Sequence, residues 1–220
     1  MKNCVLIPSY NEARTIGDIT KELKIRGLTV YVVDDGSTDN TAGIAAGQGA
    51  VVIAHDKNMG KGASLIEGFD RILEENFDAV LIMDGDGQHA TDDVDNFFKK
   101  MAETHADIVI GNRMLDTASM PVTRKITNRI MSRVISKMCG QAIPDTQCGF
   151  KLIKRNVLES IKFEFSNFEI ESEILLKAAK KGFKIESVPV KTVYQDEMSK
   201  IKPIFDTIRF LFFLIRMANK

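Results

Sequence analysis

Residues 80–89, VLIMDGDGQH, set Asp84 and Asp86 one residue apart among glycines at the end of an apolar run. Carboxylates this close repel each other, and a cation between them removes the repulsion. With the amide oxygen of Gln88 they make an oxygen-only donor set. A hard divalent ion such as Mg2+ or Mn2+ favours such a set, keeping waters and borrowing phosphate oxygens from a substrate. Gly85 and Gly87 permit close ligand approach. A polar turn closing a strand would read the same way, so the motif gains weight only from its company. His89 is either a further donor or a residue that orients one.

That company is spread along the chain. VVDDGSTDNT (32–41) closes another apolar run with Asp34 and Asp35. Their carboxylates can accept from a nucleobase N–H or a ribose hydroxyl, and the same residues also build Asx turns and helix caps. NMGKGAS (58–64) brings glycines and Lys61 to a helix start, a setting for an anion, but without the spacing of a P-loop. Arg113 and Arg124 carry guanidinium groups that match phosphate geometry. Arg124 and Asn128 share a helix face, as do Arg129 and Arg133, for which a solvated basic face is the simpler account. Glu169, Glu171 and Glu173 could supply a base, or simply occupy a first helical turn where negative charge is favoured.

These residues need a scaffold that brings them together. CVLIPS, TVYVVDD, AVVIAHD, DAVLIMD and ADIVIGN are apolar throughout and rich in β-branched residues, the pattern of strands covered on both faces. Helix-like segments lie between them, one with Thr91 as its expected N-cap. Alternating strands and helices with short loops predict an α/β fold with a mostly parallel central sheet flanked by helices. Ligands bind such sheets outside the carboxyl ends of the strands. The second half is less regular: a helix from about Thr123 to Cys139, a loop GQAIPDTQCGFKL, a helix around Glu169–Lys181, and a strand FKIESVPVKTVY whose Pro189 requires an edge or a bulge.

The 220 residues suffice for one sizeable core. Thirty Lys and Arg balance thirty Asp and Glu, which together with the lack of a basic stripe with interleaved aromatics argues against nucleic-acid binding. Cys4, Cys139 and Cys148 have neither zinc-ligand nor disulfide-framework spacing and fit a reducing compartment. MKNC runs directly into VLIPSYNE with no apolar leader, so export is not expected. From Leu176 to Lys220 ten Lys and Arg face four acids. The end, IKPIFDTIRFLFFLIRMANK, is too short and too charged to span a bilayer. Its Phe and Leu residues among cations suit a helix lying on an anionic leaflet, with docking onto the core or onto another chain as the competing readings.

IPSYNE, VVDDGSTDNT, NMGKGAS, MDGDGQH, GNR, DTQCGFK, FEIESEIL, VPV and SKIKPIFDTIRFL occur in this order along nearly the whole chain. In this the sequence resembles the family 2 glycosyltransferases of the GT-A fold, within them the dolichyl- or polyprenyl-phosphate hexose transferases, and most closely the dolichyl-phosphate glucosyltransferases. The resemblance implies a GT-A catalytic domain over 1–195 and a membrane-associating segment over 196–220. It implies nucleotide contacts at Pro8, Tyr10, Glu12 and Asp35, with Asp34 beside them, and Lys61 among the donor-binding residues. Metal and diphosphate handling fall to Asp84, Asp86 and Gln88, and phosphate contacts to Arg113 and Arg124. Glu173 is the helix carboxylate, with Glu171 as its rival. The implied activity is metal-dependent, inverting transfer of a hexose from a nucleotide-diphosphate sugar, UDP-glucose or GDP-mannose, to a polyprenyl phosphate. The expected location is the cytoplasmic face of the membrane. Many bacterial relatives continue into two transmembrane helices that this sequence does not contain. A non-lipid glycan acceptor and a non-catalytic nucleotide-sugar binder are the alternatives, and self-association is left open.

Overall fold

The computed structural model describes residues 1–117, 120–165, 167, 169–191, 210 and 212–217. Seven strands form one sheet: β1 (Asn3–Ser9), β2 (Thr29–Asp34), β3 (Val51–Ala54), β4 (Ala79–Ile82), β5 (Ile108–Asn112), β6 (Lys151–Lys154) and β7 (Ile185–Pro189). Their spatial order is β3-β2-β1-β4-β6-β5-β7. All neighbouring pairs are parallel except those of β6, which runs antiparallel to β4 and to β5. The carboxyl ends of β1 to β5 therefore share one rim with the amino end of β6. β1, β4 and β5 are buried or nearly so along their length, because Val, Ile and Leu pack on both faces. β3 is an edge strand and half exposed, so the expectation of two covered faces fails for it. β7 is the opposite edge and ends in Pro189, whose missing N–H costs no ladder bond there.

The helices are α1 (Ile16–Ile25), α2 (Thr41–Gly47), α3 (Lys61–Leu73), α4 (Val94–Thr104), α5 (Val122–Cys139), α6 (Arg155–Ser160) and α7 (Ile170–Lys180). In α3 the residues Leu65, Phe69 and Ile72 repeat at helical spacing and are fully buried. Each of these side chains contributes about 1.5–3 kcal/mol of burial. Gly68 lies against Leu6 so closely that a Cβ there would collide, which lets α3 lie directly on β1. Thr91 does not cap α4. It opens a short 3-10 turn, and its hydroxyl donates to Glu22 of α1, tying the two segments together.

The boundary expected at residue 195 falls outside the described residues. Residues 212–217 are helical. Phe213 is buried, packing edge-on against Phe165 at 4.9 Å and near Phe210 at 5.4 Å. Arg216 pairs with Glu164 at 3.0 Å. Phe212 and Ile215 remain exposed. This segment thus docks one side on the core and presents apolar groups on another. No helix among the described residues is long and apolar enough to cross a membrane.

Candidate active site

Three loops at the rim are stitched together by the side chains that end β1 and β2. Asn11 adopts a left-handed conformation (φ 57°) and its side-chain oxygen accepts the Thr38 N–H at 2.8 Å. The Asn11 N–H donates to Ser37 Oγ at 2.9 Å and the Glu12 N–H to Thr41 Oγ1 at 2.9 Å. These bonds fix the loop carrying Pro8, Tyr10 and Glu12, of which Pro8 and Glu12 are buried and Tyr10 half-buried. Asp34 accepts from the Ser37 hydroxyl. Asp35 accepts the Met59 and Gly60 N–H groups at 2.7 and 2.8 Å and meets His55 Nδ1 at 2.7 Å. Its carboxylate therefore holds the 57–60 loop in place as well as bordering the rim. Gly36 (φ +69°) passes so near the Lys57 backbone that no Cβ fits.

His55 is held between two carboxylates, since its Nε2 meets Glu67 at 2.8 Å. Burial works against a charged ring, but the hydrogen bonds and charges of Asp35 and Glu67 outweigh it and raise the His55 pKa above its ordinary value.

Asp84 and Asp86 follow β4 on the same rim and are both half-buried, as is Gln88. Gly149 touches the Asp84 carboxylate, and a Cβ there would collide with it. Gly85 is close to Ser9 in the same way, and its carbonyl accepts the Thr15 hydroxyl at 2.6 Å. Asp86 accepts the Gln88 N–H at 2.9 Å, closing the turn. Lys61, placed among the donor-binding residues by the resemblance, sets its ammonium 2.5 Å from Asp84 and 2.6 Å from Glu171. Glu171 in turn reaches Lys151 at 2.6 Å. Burial disfavours each of these charges, yet the neighbouring opposite charges prevail: Asp84 and Glu171 are held below the usual carboxylate range and Lys61 above its usual value. The row alternates in sign, Asp84, Lys61, Glu171, Lys151.

Among the described residues no group of three or more His, Cys, Asp or Glu could hold a metal ion unaided. Asp84, Asp86 and Gln88 nevertheless fit a hard divalent cation as a partial shell, with oxygen donors in one half-open turn and phosphate oxygens needed to complete it. His89 is buried and stacks on Phe150 at 4.9 Å, and burial lowers its pKa below the ordinary value. Its Nδ1 has no hydrogen-bond partner among the described residues.

Glu173 and Glu171 part company on α7. Glu173 is wholly buried and accepts the Glu164 and Phe165 N–H groups at 2.9 and 3.2 Å while pairing with Lys177 at 2.7 Å. It holds the 164–165 backbone, and Glu171 is the carboxylate of this helix that joins Lys61 and Asp84. Arg113, after β5, grips Asp145 through Nε at 2.8 Å and Nη2 at 2.9 Å. Asn128 of α5 also donates to Asp145, at 2.7 Å. Burial would raise the Asp145 pKa, but Arg113 and Asn128 hold it below the usual range. Arg124 lies one turn before Asn128 on the same side of α5 and is half-buried.

Asp145, Gly149 and Lys151 were not singled out as site residues by sequence. Only the DTQCGFK stretch, as part of the ordered motif set, marked their surroundings.

The sequence model of glycosyl transferase family 2 matches residues 4–162, and the chain belongs to that family. It is a glycosyltransferase of the GT-A fold. An uncharacterized protein of Methanocaldococcus jannaschii, MJ1222, is 33% identical over 96% of this chain and 90% of its own length. The UDP-N-acetylglucosamine–dolichyl-phosphate N-acetylglucosaminyltransferase of Methanococcus voltae is 28% identical over 87% of this chain and 86% of its own. Among solved structures, glucosyl-3-phosphoglycerate synthase from Mycobacterium tuberculosis, in complex with Mn2+, UDP and glucosyl-3-phosphoglycerate, superposes with a TM-score of 0.72 at 17% identity. That match covers 99% of this chain and 78% of the synthase.

Proposed function

We propose that this chain moves a hexose from a nucleotide-diphosphate sugar to a polyprenyl or dolichyl phosphate, peripherally attached at the cytoplasmic face of a membrane. UDP-glucose is the first donor to consider and GDP-mannose the second. The observation that carries this reading is the half-open carboxylate pair Asp84 and Asp86 on the rim that also bears Arg113. The acceptor and nucleotide named for the M. voltae relative support the lipid phosphate and a uridine donor.

Pro8, Tyr10, Glu12, Asp34 and Asp35 line the rim where the nucleoside would sit. Mg2+ or Mn2+, held by Asp84, Asp86 and Gln88, would neutralise charge developing on the leaving nucleoside diphosphate. A phosphate acceptor is mostly ionised near neutrality, with a second pKa of about 6, so no strong base is required. That agrees with Glu173 being committed to backbone N–H groups. Arg113, braced by Asp145, and Arg124 would orient the acceptor oxygen behind the anomeric carbon. In-line attack on an α-linked donor gives a β-linked product.

A panel of labelled nucleotide sugars with Mn2+ and short polyprenyl phosphates tests this, read by thin-layer chromatography of the solvent-extracted product. UDP-glucose is expected to label the lipid. Asp86→Ala should lower turnover by about 10²-fold or more with the thermal unfolding midpoint unchanged. Label that stays water-soluble with every donor would overturn the lipid acceptor, and undiminished Asp86→Ala turnover would overturn the metal role.

A further inference from the structure

Four charged side chains run from the rim into the core, and their exposure falls along the row. Asp84, Lys61, Glu171 and Lys151 have side chains 26, 17, 13 and 1% exposed. Lys151 is the fixed end: it sits on β6, and the Cys148 carbonyl accepts one of its N–H groups. Glu171 gives one oxygen to each lysine, Oε1 to Lys61 and Oε2 to Lys151, both at 2.6 Å. Breaking either contact would strand a charge in poorly solvated surroundings. The contact between Lys61 and Asp84 lies at the open end, where water and ligands reach it. Of the three contacts it is the one placed to exchange partners.

That contact competes with the cation proposed for the rim. Asp84 meets Lys61 through Oδ1 at 2.5 Å, and its Oδ2 lies over Gly149, where no Cβ would fit. A dication on Asp84 would share one carboxylate with the ammonium, and like charges that close repel strongly where burial limits screening. A nucleoside diphosphate changes the balance, because its phosphate oxygens attract both cations. An ammonium has three N–H groups, of which Asp84 and Glu171 engage two. Lys61 can therefore exchange Asp84 for a phosphate oxygen while it keeps Glu171. It is the first residue of α3, so the side chain can swing while its backbone stays in the helix.

We propose that Lys61 is the resident counter-ion of Asp84 and guards the metal position, releasing it when a nucleoside diphosphate draws the ammonium away. The divalent cation alone then binds poorly, and cation and donor enter together. The inference rests on the metal role proposed for Asp84 and Asp86 and adds to it the order in which the parts assemble. Glu171 is the positioning residue: held by Lys151, it keeps Lys61 within reach of both partners. Its charge also draws the ammonium off Asp84, so substitutions at Lys61 and Glu171 should act in opposite directions.

The test is binding by the full chain of two probes taken separately, with no acceptor and no turnover. Mn2+ alone is followed by the electron paramagnetic resonance of the free ion, and UDP alone by equilibrium dialysis in EDTA. Lys61→Met should bind Mn2+ about tenfold or more tighter than the wild type, the scale on which residues behind a metal ligand act. The same variant should bind UDP about tenfold more weakly. A loosened fold would weaken both, so opposite signs separate the proposal from a structural role. In an Asp84→Asn background, Lys61→Met should bring no gain in Mn2+ affinity, which places the effect at Asp84. Glu171→Gln should weaken Mn2+ binding about tenfold, and it decides the matter if Lys61→Met does not fold. Mn2+ affinity unchanged or lower in folded Lys61→Met, or unchanged or higher in Glu171→Gln, would overturn the proposal. So would a gain that persists in the Asp84→Asn background, or UDP binding undiminished in Lys61→Met. Equal Mn2+ binding by wild type and Lys61→Met sinks this inference and leaves the metal role standing. No Mn2+ bound by any of these proteins, with UDP or without, sinks both.

Discussion

Glu171 and Glu173 sit two positions apart in the first turn of α7 and have different work. Glu173 accepts two backbone N–H groups, and an amide in its place would present an NH2 to one of them. Glu173→Gln is expected to cost roughly 1–3 kcal/mol, measured as a lower urea midpoint with an unchanged slope, and to leave turnover near wild type. Glu171→Gln removes the charge between Lys61 and Lys151, frees Lys61 to neutralise Asp84 more completely, and should lower turnover roughly 10- to 100-fold. Turnover lost in Glu173→Gln and kept in Glu171→Gln would reverse the assignment. The resemblance names Glu173 first and Glu171 as its rival, and sequence spacing cannot tell which of two acids in one helical turn faces a neighbouring lysine.

At the scale of elements, the 57–60 loop depends on Asp35, and Asp35 is held by His55. The ring's pKa in the fold lies above its ordinary 6.5. Its stabilising contribution is therefore complete below about pH 6.5 and fades as pH rises through the folded value. His55→Gln should remove this dependence. Unfolding free energy measured from about pH 6 to 9 should decline in the wild type more than in the variant, and parallel profiles would exclude the effect. The strands β1, β2, β4 and β5 were legible because three or more consecutive apolar residues leave no solvent face to assign. β6 was not. Its four residues, KLIK, begin and end in lysine, yet Lys151 is fully buried because Glu171 and the Cys148 carbonyl take its charge. A partner brought in from a different helix has no local signature, and the same holds for Asp145, whose Arg113 is 32 residues away. The rim was readable from strand ends, but the bracing behind it was not.

Across the whole molecule, the residues near the carboxyl end are part of the core as well as candidates for a membrane surface. Phe213 is buried against Phe165, so Phe213→Ala should destabilise the fold by roughly 3–5 kcal/mol. Phe212→Ser, at an exposed position, should change stability by less than about 0.5 kcal/mol. Equal losses in chemical denaturation would show that the segment is not docked by the side described. The sheet order also fixes the sequence of assembly. The strands β3, β2, β1 and β4 can pair as soon as the first 82 residues exist, but β5 has no place beside them until β6 arrives between it and β4. During synthesis the segment from 83 to about 150, with β5 inside it, must wait with an unpaired edge while the ribosome adds some forty residues beyond β5. Translation pauses or truncations inside that interval should therefore yield a half-sheet prone to aggregation, and chains extended past Lys154 should escape it.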